Sequence, residues 1–341
     1  MTINLISDTV TIPTPEMLDF MMRAKVGDDV FNADPTVVAL QEKIAKLFGK
    51  EAALFFPSGT MTNQTAMKIH TQPGEQMICD KWAHVYNFEG GGAAFNSGIS
   101  CCLLDGNRGM FTAAQVKQAI NDPENIHLAK TSLVAVENTT NKGGGACWDF
   151  EELKKIKQIC DDHNLAFHLD GARIFNALVA TGESPKQYGA LFDTISICLS
   201  KGLGAPIGSL LLGNKEHIKK AYRIRKLFGG AMRQVGYLAA AGIYALDNNI
   251  NRLAKDHAHA KIIGEALNNS PLISKVEPIE TNILIFNLET GVAETDFITA
   301  LKKHQILISN MGGGKLRMVT HLAVTDIMIK KVVEVLANLK F

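Results

Sequence analysis

Leu199-Ser200-Lys201-Gly202-Leu203-Gly204-Ala205-Pro206-Ile207-Gly208 sets one lysine between an apolar run and a chain of glycines. The residues leading into it, Thr194-Ile195-Ser196-Ile197-Cys198-Leu199, alternate with β-branched side chains and read as a buried strand, so Lys201 stands near that strand's carboxyl end. Ligands of open α/β sheets gather at such ends. Flanked by Gly and Ser, its ε-amine has room to reach a carbonyl carbon and form a Schiff base. A surface lysine in a turn would leave the same local pattern. A dinucleotide loop would not, because Gly202-x-Gly204-x-x-x-Gly208 misses the G-x-G-x-x-G spacing and carries Pro206 inside it.

Working outward from Lys201, other apolar runs end in polar residues. Ala166-Phe167-His168-Leu169 runs into Asp170-Gly171-Ala172-Arg173, so an acid leaves a strand and an arginine follows it. The two read either as pocket residues or as an ion pair or helix cap. Between them and the preceding strand, Leu133-Val134-Ala135-Val136-Glu137, lies a helix stripe of Phe150, Leu153, Ile156, Ile159 and Cys160. Asp149 and Glu152 have capping-box spacing ahead of it. Further upstream Ala52-Ala53-Leu54-Phe55-Phe56 meets Pro57-Ser58-Gly59-Thr60 and opens into a helix at Met61. Its free N-terminal amides and two hydroxyls suit a phosphate, or simple N-capping. Asp80-Lys81-Trp82-Ala83-His84-Val85-Tyr86-Asn87-Phe88-Glu89 packs an imidazole among aromatics before Gly90-Gly91-Gly92. At the start, Ser7-Asp8-Thr9-Val10 precedes Pro13 and Pro15 and reads as an extended arm able to line a site.

Composition bounds the rest. The 341 residues suggest two domains, and the small-residue helix pattern breaks near Asp247-Asn248-Asn249. We therefore expect a large domain over residues 1–246, arm included, and a smaller C-terminal α/β domain over 247–341. Thirty-five Lys and Arg balance 34 Asp and Glu with no long run of either sign, which argues against nucleic acid or an acidic membrane surface and for small-molecule partners. No apolar run is long enough to span a bilayer and no signal segment is evident, so a cytoplasmic location is expected. Six cysteines without C-x-x-C read as reduced thiols. His257 and His259, two apart on a helix, point apart and make a poor metal pair; no metal site is expected. Met311-Gly312-Gly313-Gly314-Lys315-Leu316 lacks P-loop spacing.

A strand-end lysine, an earlier strand-end acid, a Gly-Thr helix start and a histidine amid aromatics, all in an alternating βα chain, fit pyridoxal phosphate. That cofactor needs a lysine, an acid at its pyridine nitrogen, a phosphate cup and a flat group over the ring. The sequence also resembles the low-specificity threonine aldolases of the β-eliminating lyase group, pyridoxal-phosphate enzymes of the aspartate-aminotransferase type of fold (fold type I). The resemblance rests on Ser7-Asp8-Thr9, Phe56-Pro57-Ser58-Gly59-Thr60-Met61, Ala83-His84, Glu137-Asn138-Thr139, His168-Leu169-Asp170-Gly171-Ala172-Arg173, Ser200-Lys201-Gly202-Leu203 and Met232-Arg233-Gln234. It implies a mainly parallel central sheet, with Lys201 bound to the cofactor, Asp170 at the pyridine nitrogen, Gly59 and Thr60 on the phosphate, and His84 stacked on the ring. Ser7, Arg173 and Arg317 would face the substrate, and Lys226 and Arg233 would extend the phosphate or substrate shell. The loop Thr140-Asn141-Lys142-Gly143-Gly144-Gly145 departs from the His-Asn-Gly of many relatives.

The implied reaction is retro-aldol cleavage of a β-hydroxy-α-amino acid to glycine and an aldehyde, with His84 and His127 as candidate bases for the β-hydroxyl proton. Another pyridoxal-phosphate lyase or racemase on the same scaffold, or a binding protein that keeps the motifs, are the rival readings. Enzymes of this fold place the site at a dimer interface, so a homo-oligomer, a dimer or a dimer of dimers, is expected, with Arg233 reaching the neighbouring subunit's site.

Overall fold

A computed structural model describes residues 2–339 of the chain. Its strands, in chain order, are β1 (Ile3–Asn4), β2 (Ala52–Phe56), β3 (Gln76–Asp80), β4 (Ser100–Leu104), β5 (Thr131–Glu137), β6 (Ala166–Gly171), β7 (Thr194–Cys198), β8 (Ser209–Gly213), β9 (Ile273–Val276), β10 (Ile283–Leu288), β11 (Ile306–Leu307), β12 (Ser309–Gly312) and β13 (Lys315–Val319). Strands β2 to β8 make one sheet in the order β2-β8-β7-β6-β5-β3-β4. Strands β3 to β7 run parallel and β8 opposes both its neighbours, so the sheet is mostly parallel, as expected. Continuous apolar runs such as Thr194–Cys198 are buried along their whole length, as strands covered by helices on both faces must be.

The covering helices follow from local sequence. Pro35–Phe48 is capped by Asp34, which accepts from the amides of Thr36 and Val37, and it ends at Gly49 in the left-handed conformation. Its Val37, Leu40, Ile44 and Phe48 are fully buried, each contributing roughly 1.5–3 kcal/mol by area. Phe150–Asp162 buries Leu153, Ile156 and Cys160 as its stripe predicts, but the capping box does not close. Asp149 caps the amide of Glu151, while Glu152 Oε1 instead accepts from Ala113 N at 2.8 Å, tying this helix to the segment before it.

The large sheet and its helices enclose a main apolar core and two smaller clusters, one around Met77 and one around Phe56; a second core forms around β10 and β13 within the antiparallel sheet β12-β13-β10-β9. The arm differs from expectation. Ile3 and Leu5 are buried in the second core, and β1 pairs in parallel with β11, Ile3 opposite Ile306, because apolar residues in so short a strand need a ready-made sheet edge. The chain crosses back along the helix Leu253–Asn268, whose Leu253 packs in the first core and whose Ala260, Ile263 and Leu267 pack in the second. The expected boundary after residue 246 lies in the last turn of the preceding helix, Gly236–Asn248. All six cysteines are free thiols.

Candidate active site

The carboxyl ends of β3, β6 and β7 lie side by side with β5 among them, and side chains at or beyond the ends of β3, β6 and β7 share one cavity of about 190 Å³. Lys201, three residues past β7, lines it together with Asp170 from β6, His84 just beyond β3, and Ser58, Gly59 and Thr60 at the start of the helix Gly59–His70. Ser58 caps that helix by accepting from Met61 N. Gly59 is required by proximity: a Cβ there would lie 2.5 Å from Cys198 Sγ at the end of β7. The helix N-terminus is thereby drawn against the strand that delivers the lysine, and its free amides open onto the same cavity.

Asp170 is 2% exposed, yet its carboxylate is fully engaged: Oδ1 accepts from Ala172 N at 3.1 Å and Oδ2 from Asn63 Nδ2 at 2.9 Å. His84 Nδ1 lies 3.0 Å from Glu89 Oε1. Burial works against charge on His84, but the Glu89 hydrogen bond and the negative charges of Asp170, Glu89 and Glu137 hold its pKa above the ordinary value. Glu137 stands beside Asp170 in register on β5 and accepts from the backbone amides of His84 and Asn141, each at 2.8 Å. Burial first, and then the neighbouring Asp170 charge, push its carboxyl up to about 7. These groups meet the needs of pyridoxal phosphate: an amine, a buried anion, an imidazole and helix amides round one cavity.

A family model described as "Beta-eliminating lyase" matches residues 4–290. The chain belongs to the beta-eliminating lyase family. Within that family it is 44% identical over 339 residues to the low specificity L-threonine aldolase of Escherichia coli strain K12, covering 98% of each chain. It is 38% identical over 335 residues to the low specificity L-threonine aldolase of Saccharomyces cerevisiae, covering 96% of this chain and 84% of that one. Among solved structures, a Leishmania major threonine aldolase has the same fold with a TM-score of 0.85 at 23% identity over 98% of both chains. A Sphingomonas wittichii serine palmitoyltransferase matches at 0.78 and 14% identity, over 98% of this chain and 86% of that one.

In this member of the beta-eliminating lyase family, Arg173 and Arg317 contact the arm and are not in the lining of that cavity. Arg173 leaves the end of β6 but pairs with Asp8 of the arm, not with Asp170. Arg317, in β13, donates from Nη1 to Asn141 Oδ1 at 2.7 Å and from Nη2 to Ile6 O at 3.1 Å, while its Nε is buried without a partner. Ser7, beside Ile6, accepts from Thr9 N and so turns the arm over this region. Neither does Ser7 line that cavity, and three further expected residues also stand apart from it in their own chain. His127 is exposed on the loop before β5, and the seven residues of that strand put it roughly 20 Å from the end that carries Glu137. Lys226 is exposed on the helix Lys215–Leu227, and Arg233 is exposed and paired with Asp28 at 2.8 Å. Asp8, Asn63, Glu89, Glu137 and His168 were not singled out from sequence for these contacts. Their places in quoted stretches, Asp8, Glu137 and His168 within motif phrases and Glu89 at the end of the histidine stretch, were the signal that could have found them.

Proposed function

We propose that this protein is a threonine aldolase that cleaves L-threonine, L-allo-threonine and related β-hydroxy-α-amino acids to glycine and an aldehyde, with pyridoxal phosphate as cofactor. The observation that carries this reading is the meeting of Lys201, Asp170 and His84, from three different strand ends, round one cavity. When bound, pyridoxal phosphate supplies the electron sink for the pair left as the Cα–Cβ bond breaks.

In this reading the chain's own residues divide the work. Lys201 holds the cofactor covalently through its ε-amine. Asp170 would pair with the pyridine nitrogen, its carboxylate held in place by Ala172 N and Asn63 Nδ2. The amides and hydroxyls of Ser58, Gly59 and Thr60 hold the phosphate. His84, in the cavity wall, would stack on the ring and is the imidazole that the chain itself would bring to the β-hydroxyl proton. Arg317 receives the substrate carboxylate on its unpartnered Nε, with Ser7 beside it and Arg173 behind it as the anchor of the arm.

His127, Lys226 and Arg233 enter this scheme only through a second copy, so the working unit is at least a dimer. Phe95 and Leu227 support it: they are 89% and 68% exposed and both line a second cavity that shares Ser58 and Thr60 with the first. Free thiols throughout, and no helix among the described residues long and apolar enough to cross a membrane, are compatible with a cytoplasmic enzyme.

The test is to load the purified protein with pyridoxal phosphate, supply L-threonine or L-allo-threonine, and measure glycine and acetaldehyde in equal amounts. Release of ammonia with a keto acid, and no glycine, would assign the scaffold to elimination instead.

A further inference from the structure

Asn63 lies one turn into the helix Gly59–His70 and is 2% exposed. Its Nδ2 is 2.9 Å from Asp170 Oδ2 and 2.8 Å from Glu89 Oε1. Carboxylates only accept, so the amide nitrogen must face them and each of its two hydrogens goes to one acid. That orientation leaves Oδ1 toward His168 Nε2 at 3.2 Å, which must donate. His168 is fully buried, and burial pushes its pKa down to about 4, so it is neutral with that hydrogen on Nε2. Its Nδ1 meets Thr194 Oγ1 at 2.9 Å, and the same hydroxyl lies 2.9 Å from His70 Nε2. The amide is thus held from behind by a chain of hydrogen bonds and cannot rotate to release either acid. Glu89 is equally constrained, by Gln64 Nε2 at 2.7 Å and by His84 Nδ1.

We propose that Asn63 is a positioning residue: one buried amide sets the rotation of Asp170, the acid that would pair with the pyridine nitrogen, and of Glu89, which aims the His84 imidazole. The inference rests on the pyridoxal-phosphate reading of the site. Its physical basis is the closeness of the ligand atoms of His84, Glu89 and Asp170, all within 4.8 Å of one another. Two carboxylates so near in a buried setting share a proton unless separate donors satisfy each. Asn63 supplies those donors, one hydrogen to each acid, so that Asp170 is held toward the ring nitrogen's place and Glu89 toward His84.

The experiment compares wild type, Asn63→Ala and Asn63→Asp for the dissociation constant of pyridoxal phosphate across pH, alongside the absorbance of the loaded protein and its thermal unfolding. Asn63→Ala is expected to weaken cofactor binding roughly tenfold or more through loss of two charge-assisted hydrogen bonds, and to shift the pH of the absorbance transition. Asn63→Asp, close to isosteric, can donate only while protonated. Even then it has one hydrogen for two acids, so its cofactor affinity should lie below wild type at acid pH and fall further as pH rises. A merely structural asparagine would give neither the pH-dependent loss nor the displaced transition. If folded Asn63→Ala matches wild type in affinity and transition, or if Asn63→Asp binds with a flat pH profile, the proposal is overturned. Should Asn63→Ala fail to fold, Asn63→Asp decides alone. Failure of wild type itself to bind the cofactor would instead overturn the functional reading beneath it.

Discussion

Arg173 and Asp8, 165 positions apart, close a two-pronged ion pair in which Nε meets Oδ2 and Nη2 meets Oδ1, both at 2.7 Å. Both side chains are buried, Asp8 completely. Asn282 Nδ2 adds a third contact to Asp8 at 3.3 Å, and Thr11 Oγ1 donates to the backbone oxygen of Lys201 at 3.0 Å. The arm is therefore bolted at one point to the end of β6, to the antiparallel sheet and to the lysine loop.

Breaking that pair should be costly and acid-sensitive. Burial alone would raise the Asp8 pKa, but the charge and hydrogen bonds of Arg173, helped by Lys201 and Asn282, lower it from 3.8 to about 2. A folded-state value below the unfolded one stabilises the fold above the unfolded pKa, and that share, about 2 kcal/mol, is lost as pH falls from about 4 toward 2. Asp8→Asn should lower the unfolding free energy at neutral pH by about 3 kcal/mol, since a buried guanidinium loses its counter-charge. It should also flatten the acid limb of the stability profile. Urea unfolding at stepped pH measures both effects.

Asp170→Asn keeps only one acceptor atom, so either Ala172 N or Asn63 Nδ2 loses its partner, and the unfolding free energy should fall by about 1–3 kcal/mol. A neutral group no longer favours a proton on the ring nitrogen, and kcat should fall on the order of 100-fold. Steady-state kinetics with L-threonine check this, and near-normal turnover would remove Asp170 from the proposed role.

Arg317→Lys should raise KM for L-threonine roughly tenfold with a smaller change in kcat, since a point-charge ammonium replaces neither the fork nor the buried Nε donor. An unchanged KM would move the carboxylate contact to Arg173 or elsewhere.

Arg233 pairs with Asp28 of its own chain and is exposed, so its part in catalysis depends on a neighbour. Co-expressing Lys201→Ala with Arg233→Ala and isolating the mixed dimer separates the cases. If Arg233 serves the neighbouring site, one site carries both lesions, the other carries neither, and activity returns. An inactive hybrid would place Arg233 with its own chain.

Local sequence was enough for whatever depends on near neighbours. The alternation of Thr194–Leu199, the Asp34 and Gly49 ends of a helix, and the run from Phe56 to Thr60 each specify an element and its polar terminus, because capping and strand burial are decided within a few residues. Since strand ends are where side chains leave a parallel sheet, Lys201, Asp170 and His84 were legible as residues of one site. Partner choice was not legible. That Arg173 binds Asp8 rather than Asp170, that Glu152 reaches Ala113, that Ile3 and Leu5 join the distant core, and that one amide of Asn63 holds two acids all depend on contacts between residues far apart in the chain. Buried polar groups must find partners wherever packing brings them, and only the assembled sheet, with β5 and β6 in register at Glu137 and Asp170, decides which ones are within reach.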